Sequence, residues 1–156
     1  NQELGNVDLF LLDLILKGFF NEGSSLLDAG CGEGRNLTYF LKHNFKVFGI
    51  DQNYSALMML KIAGRTLNRN FEPGNFILGD LTDLPFKNDF FDYILCLSVL
   101  HFVDNQSVFI HIFKNLSRAI KKEGRLILGM NSVFGMEKNV ISLGNGRYKM
   151  PDGEIR

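Results

Sequence analysis

"LLDAGCGEGRN", residues 26–36, decides how this chain is read. Three glycines stand at alternate positions, Gly30, Gly32 and Gly34, directly after a short apolar run. Glycine at such a place lets the backbone turn sharply from strand to helix and approach a ligand closely. The dinucleotide fingerprint G-x-G-x-x-G fails here, because Arg35 occupies the place of its third glycine. Asp28 adds an electrostatic argument. A carboxylate at this loop repels a pyrophosphate held at the helix N-terminus and favours a cationic ligand.

Outward from the loop, strands and helices alternate. Residues 7–18, "VDLFLLDLILKG", are apolar around most of their circumference and predict a buried helix closed by Gly18. "SSLLDAG" predicts the strand that feeds the loop, and "NLTYFLKHN" the helix that leaves it. "KVFGID" is a second strand, and Asn53 is placed to cap the helix "YSALMMLKIAGRTL". "NFILGD" and "FDYILCLS" are the third and fourth strands, joined by "LTDLPFKND", which has room for only a brief helix. Asp104 is expected to cap a long helix with the stripe Val108, Ile112, Leu116 and Ile120, ended by Gly124. "RLILGMN" is a fifth strand. The remainder is turn-rich, with "MPDGE" reading as a tight turn.

Near-continuous apolar strands alternating with helices predict an α/β fold: a doubly wound, mostly parallel sheet with helices on both faces. Residues 1–156 are expected to form one domain. Ligands of such sheets lie outside the C-terminal strand ends, and Gly30, Asp51, Asp80 and Ser98 all fall there. Asp51 can accept both hydroxyls of a ribose. Asp80 can accept from an adenine amino group. With Asp28, these acids describe a crevice for a cation that carries adenosine, and S-adenosylmethionine is such a molecule. A nicotinamide-dependent oxidoreductase is the competing reading. It lacks its third glycine, and "YFLK", Tyr39 to Lys42, has the wrong spacing for a Tyr-x-x-x-Lys pair.

"LLDAGCGEGRN", "VFGIDQN", "GDLTDLPF", "FDYILCLSVLHFV" and "LSRAIKKEGRLILG" resemble, in order, the motifs of class I S-adenosylmethionine-dependent methyltransferases, over roughly residues 20–130. The resemblance implies a Rossmann-like fold with S-adenosyl-L-methionine as cofactor. It implies contacts from Asp28, Ala29, Gly30, Cys31 and Gly32, with Asp51 and Gln52 at the ribose. Asp80 and Leu81 would lie beside the adenine, and the Leu97 backbone near the methionine part. The family's sheet usually has seven strands, and five are placed here, so the expectation is that the last strands are missing or truncated.

Composition narrows the partners. Lys plus Arg equals Asp plus Glu at 17 each, so the total carries no electrostatic footprint for nucleic acid or an anionic membrane. "CLSV" replaces the Asn- or Asp-Pro-Pro-aromatic motif of the DNA amino-methylating enzymes of this class. A small-molecule acceptor is the expectation, with no nucleic acid and no membrane. The alternative is a non-catalytic cofactor-binding module or partner subunit, which an exposed apolar face on the 7–18 helix would favour. Cys31 and Cys96 form neither a disulfide framework nor metal spacing, and two reduced thiols suit a cytoplasmic protein. The chain does not begin with Met, which is expected of a fragment or of a chain without its disordered ends. His101, in "SVLHFV", is the one candidate general base. Cys31 is expected to be small rather than nucleophilic, and His43 and His111 to be structural. Arg147 and Tyr148 are candidate substrate contacts.

Overall fold

The structure is a computed structural model, and it describes residues 6–103, 105–130, 139–144, 147–151, 153 and 155. Five strands form the main sheet: β1 (Ser25–Ala29), β2 (Lys46–Asp51), β3 (Phe76–Leu78), β4 (Phe91–Leu97) and β5 (Ile120–Gly129). Their spatial order is β3-β2-β1-β4-β5, and every pairing is parallel. The order reverses between β1 and β4. Chain connections leave those two neighbours toward opposite sides and open a crevice beyond their C-terminal ends.

Four helices cover the sheet: α1 (Leu9–Leu16), α2 (Thr38–Lys42), α3 (Tyr54–Leu67) and α4 (Gln106–Ala119). Alternation along the strands builds two cores. Leu26, Tyr93 and Leu95 pack with side chains of α1, α2 and α3. Leu27, Ile94 and Cys96 pack with Ile112, Leu116 and Ala119 of α4. Leu26 and Leu27 are both fully buried although they point to opposite faces, as a strand covered on both sides requires. At the strand ends away from the crevice, Asp92 accepts from the Ser25 N–H and hydroxyl at 2.8 Å each and from Lys121 Nζ at 2.7 Å, tying β1, β4 and β5 together.

Several local expectations hold in detail. The Asn53 side chain accepts from the Ala56 N–H and starts α3 at Tyr54, and Gly18, at φ 66°, follows the end of α1. A 3-10 turn at Leu81–Asp83 is the brief helix between β3 and β4. The Gly153 N–H donates to the Met150 carbonyl inside "MPDGE", and Lys149 bridges Ile155 across this turn.

Three expectations are corrected. The first helix buries Leu11 and Ile15 only, while Leu9, Phe10 and Leu16 are exposed, so it covers the sheet with one stripe. The cap of α4 is Asn105, whose side chain accepts from the Ser107 N–H; Asp104 lies outside the described residues. That helix ends at Ala119, not at Gly124, because Ile120 already pairs with Phe91. The register then shifts before Tyr93 meets Arg125, and Gly124 sits inside that irregular stretch of β5. Beyond the sheet, β6 (Ile141–Gly144) and β7 (Arg147–Lys149) form a separate antiparallel pair.

Candidate functional site

The C-terminal strand ends enclose a cavity of about 580 Å³, inside the size range of small-ligand and cofactor pockets. One wall is Gly30, Ile50, Asp51, Gln52, Gly79, Asp80, Leu81 and Thr82; the other is Ser98, Val99, Phe102, Val103, Asn105, Val108 and Ile112. The glycine loop is held close to both. The Gly30 N–H donates to the Ile50 carbonyl at 2.8 Å. Gly30 has φ 83°, and a Cβ there would overlap the Val99 side chain. Only glycine meets both demands.

Asp51 is fixed by its own loops. Its Oδ2 accepts from the Gly32 N–H and its Oδ1 from the Asn53 N–H, both at 2.7 Å. Each carboxylate oxygen has about two acceptor sites, so one on each side remains for a diol. Asp80 is held differently. Its Oδ1 accepts from both the hydroxyl and the N–H of Thr82, each at 2.7 Å, and these bonds keep its carboxyl below the ordinary carboxylate range. Its Oδ2 has no hydrogen-bond partner among the described residues. Both carboxylates thus keep acceptor positions that no described residue uses, and both residues line one cavity. That donor and acceptor set suits the ribose and amino groups of adenosine.

Of the residues expected from the sequence, the cavity brings together Gly30, Asp51, Gln52, Asp80 and Leu81. Asp28, Ala29, Cys31, Gly32 and Leu97 are not among its lining residues. Asp28 is 2% exposed and lies within β1, paired with Gly49 and Leu95, rather than at the mouth of the loop. By strand alternation it shares the face of Leu26, whereas the cavity is bounded by Ile50, Leu81 and Ile112 of the second core. Burial, and then the charge of Asp51, push the Asp28 carboxyl from 3.8 up to about 7, with Arg35 opposing. Gly32 serves by pinning Asp51.

Burial also pushes both thiols up, Cys96 to about 12 and Cys31 further, with the Asp28 charge as the next cause for each. Neither is disposed to act as a thiolate at neutral pH. His101 lies in the 3-10 turn Leu100–Phe102, with its ring 4.2 Å from that of Phe102. Its neighbours Phe102 and Val103 line the cavity. Arg147 and Tyr148 fall on β7, outside the lining. His43 stacks on Tyr39, and His111 binds the Thr82 carbonyl.

Sequence reading missed the second wall. Ser98 was noted only as a strand end, yet it adopts φ 61° while its N–H donates to the Gly129 carbonyl at 2.8 Å. Positive φ at a residue other than glycine marks a constrained spot, here directly at the crevice. Val108 and Ile112 were legible as a helical stripe. That the upper part of this stripe borders a cavity depends on where α4 docks.

The comparisons with known proteins agree with this fold. Residues 27–128 match the family model described as a methyltransferase domain. The uncharacterized protein MJ0638 of Methanocaldococcus jannaschii is 30% identical over 118 residues, covering 75% of this chain and 45% of that protein. A human protein named "Probable tRNA methyltransferase 9B" is 29% identical over 116 residues, covering 74% of this chain and 22% of that one. The crystal structure of a SAM-dependent methyltransferase from Methanosarcina mazei superposes with a TM-score of 0.64 at 26% identity, covering 73% of this chain and 55% of the other. The chain spans less than half the length of the curated relatives it matches. No helix among the described residues is long and apolar enough to cross a membrane. With the family model extending from the glycine loop to the last parallel strand, and the strand-end acids in register, the chain belongs to the class I S-adenosylmethionine-dependent methyltransferases.

Proposed function

We propose that this chain is the cofactor-binding part of a methyltransferase that transfers the methyl group of S-adenosylmethionine to a small, uncharged acceptor. The observation that carries the reading is the single cavity holding Asp51 and Asp80 with open acceptor oxygens. Asp51 would take the ribose hydroxyls, with Gln52 beside it. Asp80 would take the adenine amino group, and the Leu81 main chain would lie along the base. Gly30 would let the loop approach the methionine part, where the Leu97 backbone would stand. When bound, the cofactor supplies a methyl group already made electrophilic by its sulfonium. The protein then has to orient an acceptor and exclude water, and orientation alone can contribute ~7–11 kcal/mol. His101 would serve as a base only for an acceptor that must lose a proton.

The acceptor class rests on the wall chemistry. Beyond the two carboxylates, the lining among the described residues is apolar, amide or hydroxyl: Val99, Phe102, Val103, Val108 and Ile112 with Ser98 and Asn105. Recognition of tRNA would call for cations along the entrance. Two relatives, one human and one mouse, are named for tRNA, so tRNA belongs in the test. Calorimetry with S-adenosylmethionine, S-adenosylhomocysteine and NAD should show binding of the first two only; binding of NAD alone refutes the reading. Methyl transfer from labelled cofactor should then appear with neutral small molecules and not with tRNA.

A second reading is favoured by α1, whose Leu9, Phe10 and Leu16 are 81%, 56% and 74% exposed. An apolar stripe facing away from the sheet suits a cofactor-binding subunit covered by a partner. Cofactor binding without transfer to any member of a broad acceptor panel would favour it.

A further inference from the structure

The segment that carries Asp80 has little support of its own. β3 is only three residues long, lies at the sheet edge and pairs with β2 alone. After it, the Gly79 N–H donates to the Asp51 carbonyl at 3.0 Å, and the chain leaves the sheet. What holds the next residues is α4. Asn115 Nδ2 donates to the Leu81 and Thr82 carbonyls at 3.0 and 2.9 Å. His111 Nε2 lies 2.9 Å from the same Thr82 carbonyl, and since a carbonyl only accepts, that nitrogen carries the proton. Arg118 continues the row, donating to the Leu84 and Phe86 carbonyls at 2.6 Å each. Positions 111, 115 and 118 follow one face of a helix. Their donors meet carbonyls that have no strand to pair with.

Thr82 is the joint. Its carbonyl is gripped from α4, while its N–H and hydroxyl both grip Asp80 Oδ1. The other Asp80 oxygen is left for a ligand. We propose that Asn115 and His111 are positioning residues for base selectivity, acting through Thr82 to aim the free oxygen of Asp80 at the exocyclic amino group of the cofactor's adenine. The inference rests on the reading of the cavity as an adenosine site. It assigns selectivity to side chains that do not themselves line the cavity.

The test compares S-adenosylhomocysteine with S-inosylhomocysteine, in which a carbonyl acceptor replaces the amino donor at C6 and the edge's remaining proton sits on the ring nitrogen N1, away from the position Asp80 addresses. Both affinities are measured by calorimetry for the wild type and for Asn115→Leu, which keeps the volume of the side chain and removes its donors. The wild type should prefer the adenosine compound by about tenfold or more, the scale of one hydrogen bond to a charged group. In Asn115→Leu this preference should fall to within about threefold of unity, with the inosine compound bound as in the wild type. Equal losses for both compounds, or an unchanged preference, overturn the proposal and leave Asn115 a structural residue. If Asn115→Leu does not fold, the exposed position His111 carries the same comparison. His111→Leu should reduce the preference, and His111→Gln, which retains a donor, should restore it; identical behaviour of the two overturns the proposal. A wild type that binds neither compound refutes the adenosine site itself.

Discussion

Replacing Asp28 by Asn should stabilise the folded chain at pH 8 and change it little at pH 4. The carboxyl is 2% exposed, and no hydrogen-bond donor among the described residues reaches it. Burial, and then the neighbouring charge of Asp51, raise it from 3.8 to about 7, against the attraction of Arg35. The folded chain therefore holds this proton more tightly than the unfolded chain does. Stability from this group is fully present below pH 4, declines as the pH rises, and is lost once the pH passes about 7. At about 1.4 kcal/mol per pH unit, the interval from 3.8 to about 7 amounts to about 4 kcal/mol. For a chain of this size that is on the order of 10 °C in Tm. Asn has nearly the same shape and no charge, so the wild-type-minus-variant difference isolates the term from all other titrations. Urea unfolding at pH 4, 5.5, 7 and 8 measures it. The expected difference grows steadily in favour of the variant between pH 4 and 8. A flat difference over that range would refute the account, since it would mean that Asp28 never ionises at cost inside the sheet.

Asp51→Ala should weaken S-adenosylhomocysteine binding about 10- to 100-fold, because it removes both open acceptor oxygens; unchanged affinity in calorimetry would contradict the strand-end geometry. Asp92→Ala, at the opposite strand ends, should lower stability by about 1–3 kcal/mol in denaturant titration and leave ligand affinity within about twofold, as Ser25 and Lys121 lose their shared partner. Gly30→Ala should destabilise by about 1–3 kcal/mol through its positive φ, with an added clash against Val99. Combining it with Val99→Ala should recover the clash and not the backbone strain; full recovery would show that φ at this position is not constraining.

The first wall of the site was legible because its chemistry-bearing residues fall at or just past the C-terminal ends of strands. Gly30 directly follows β1, Asp51 is the last residue of β2, and Asp80 lies two residues past β3. Parallel strands in one sheet bring their C-terminal ends to one edge, so reading the strands is enough to gather those three positions. The helix that begins after Asn53 was legible for the same local reason, a side-chain cap next to a helical stripe. Asp28 is buried within β1 and not in the lining because its side of the strand matters as well as its distance from the loop. Counting from Leu26 by twos puts it on the face of the first core, but the cavity opens over the second.

The far wall and the row of donors on α4 outside the lining were not legible because both depend on docking rather than on spacing. His111, Asn115 and Arg118 look in the sequence like the ordinary polar side of an amphipathic helix. A solvated polar face and a face that donates to carbonyls have the same periodicity. They differ only in what lies opposite, and what lies opposite is a segment too short of strand partners to satisfy its own carbonyls. The sequence does contain a trace of this. "LTDLPFKND" holds a proline and two aspartates and shows no strand alternation, so its main chain had to find partners elsewhere. Asking where those carbonyls are satisfied leads directly to the donors of α4. The same bookkeeping explains why the cavity has one carboxylate wall and one apolar wall. The acids come from strand ends, whose loops supply N–H groups to hold them, while the apolar side chains come from α4 and the turn before it, which pack back over the sheet.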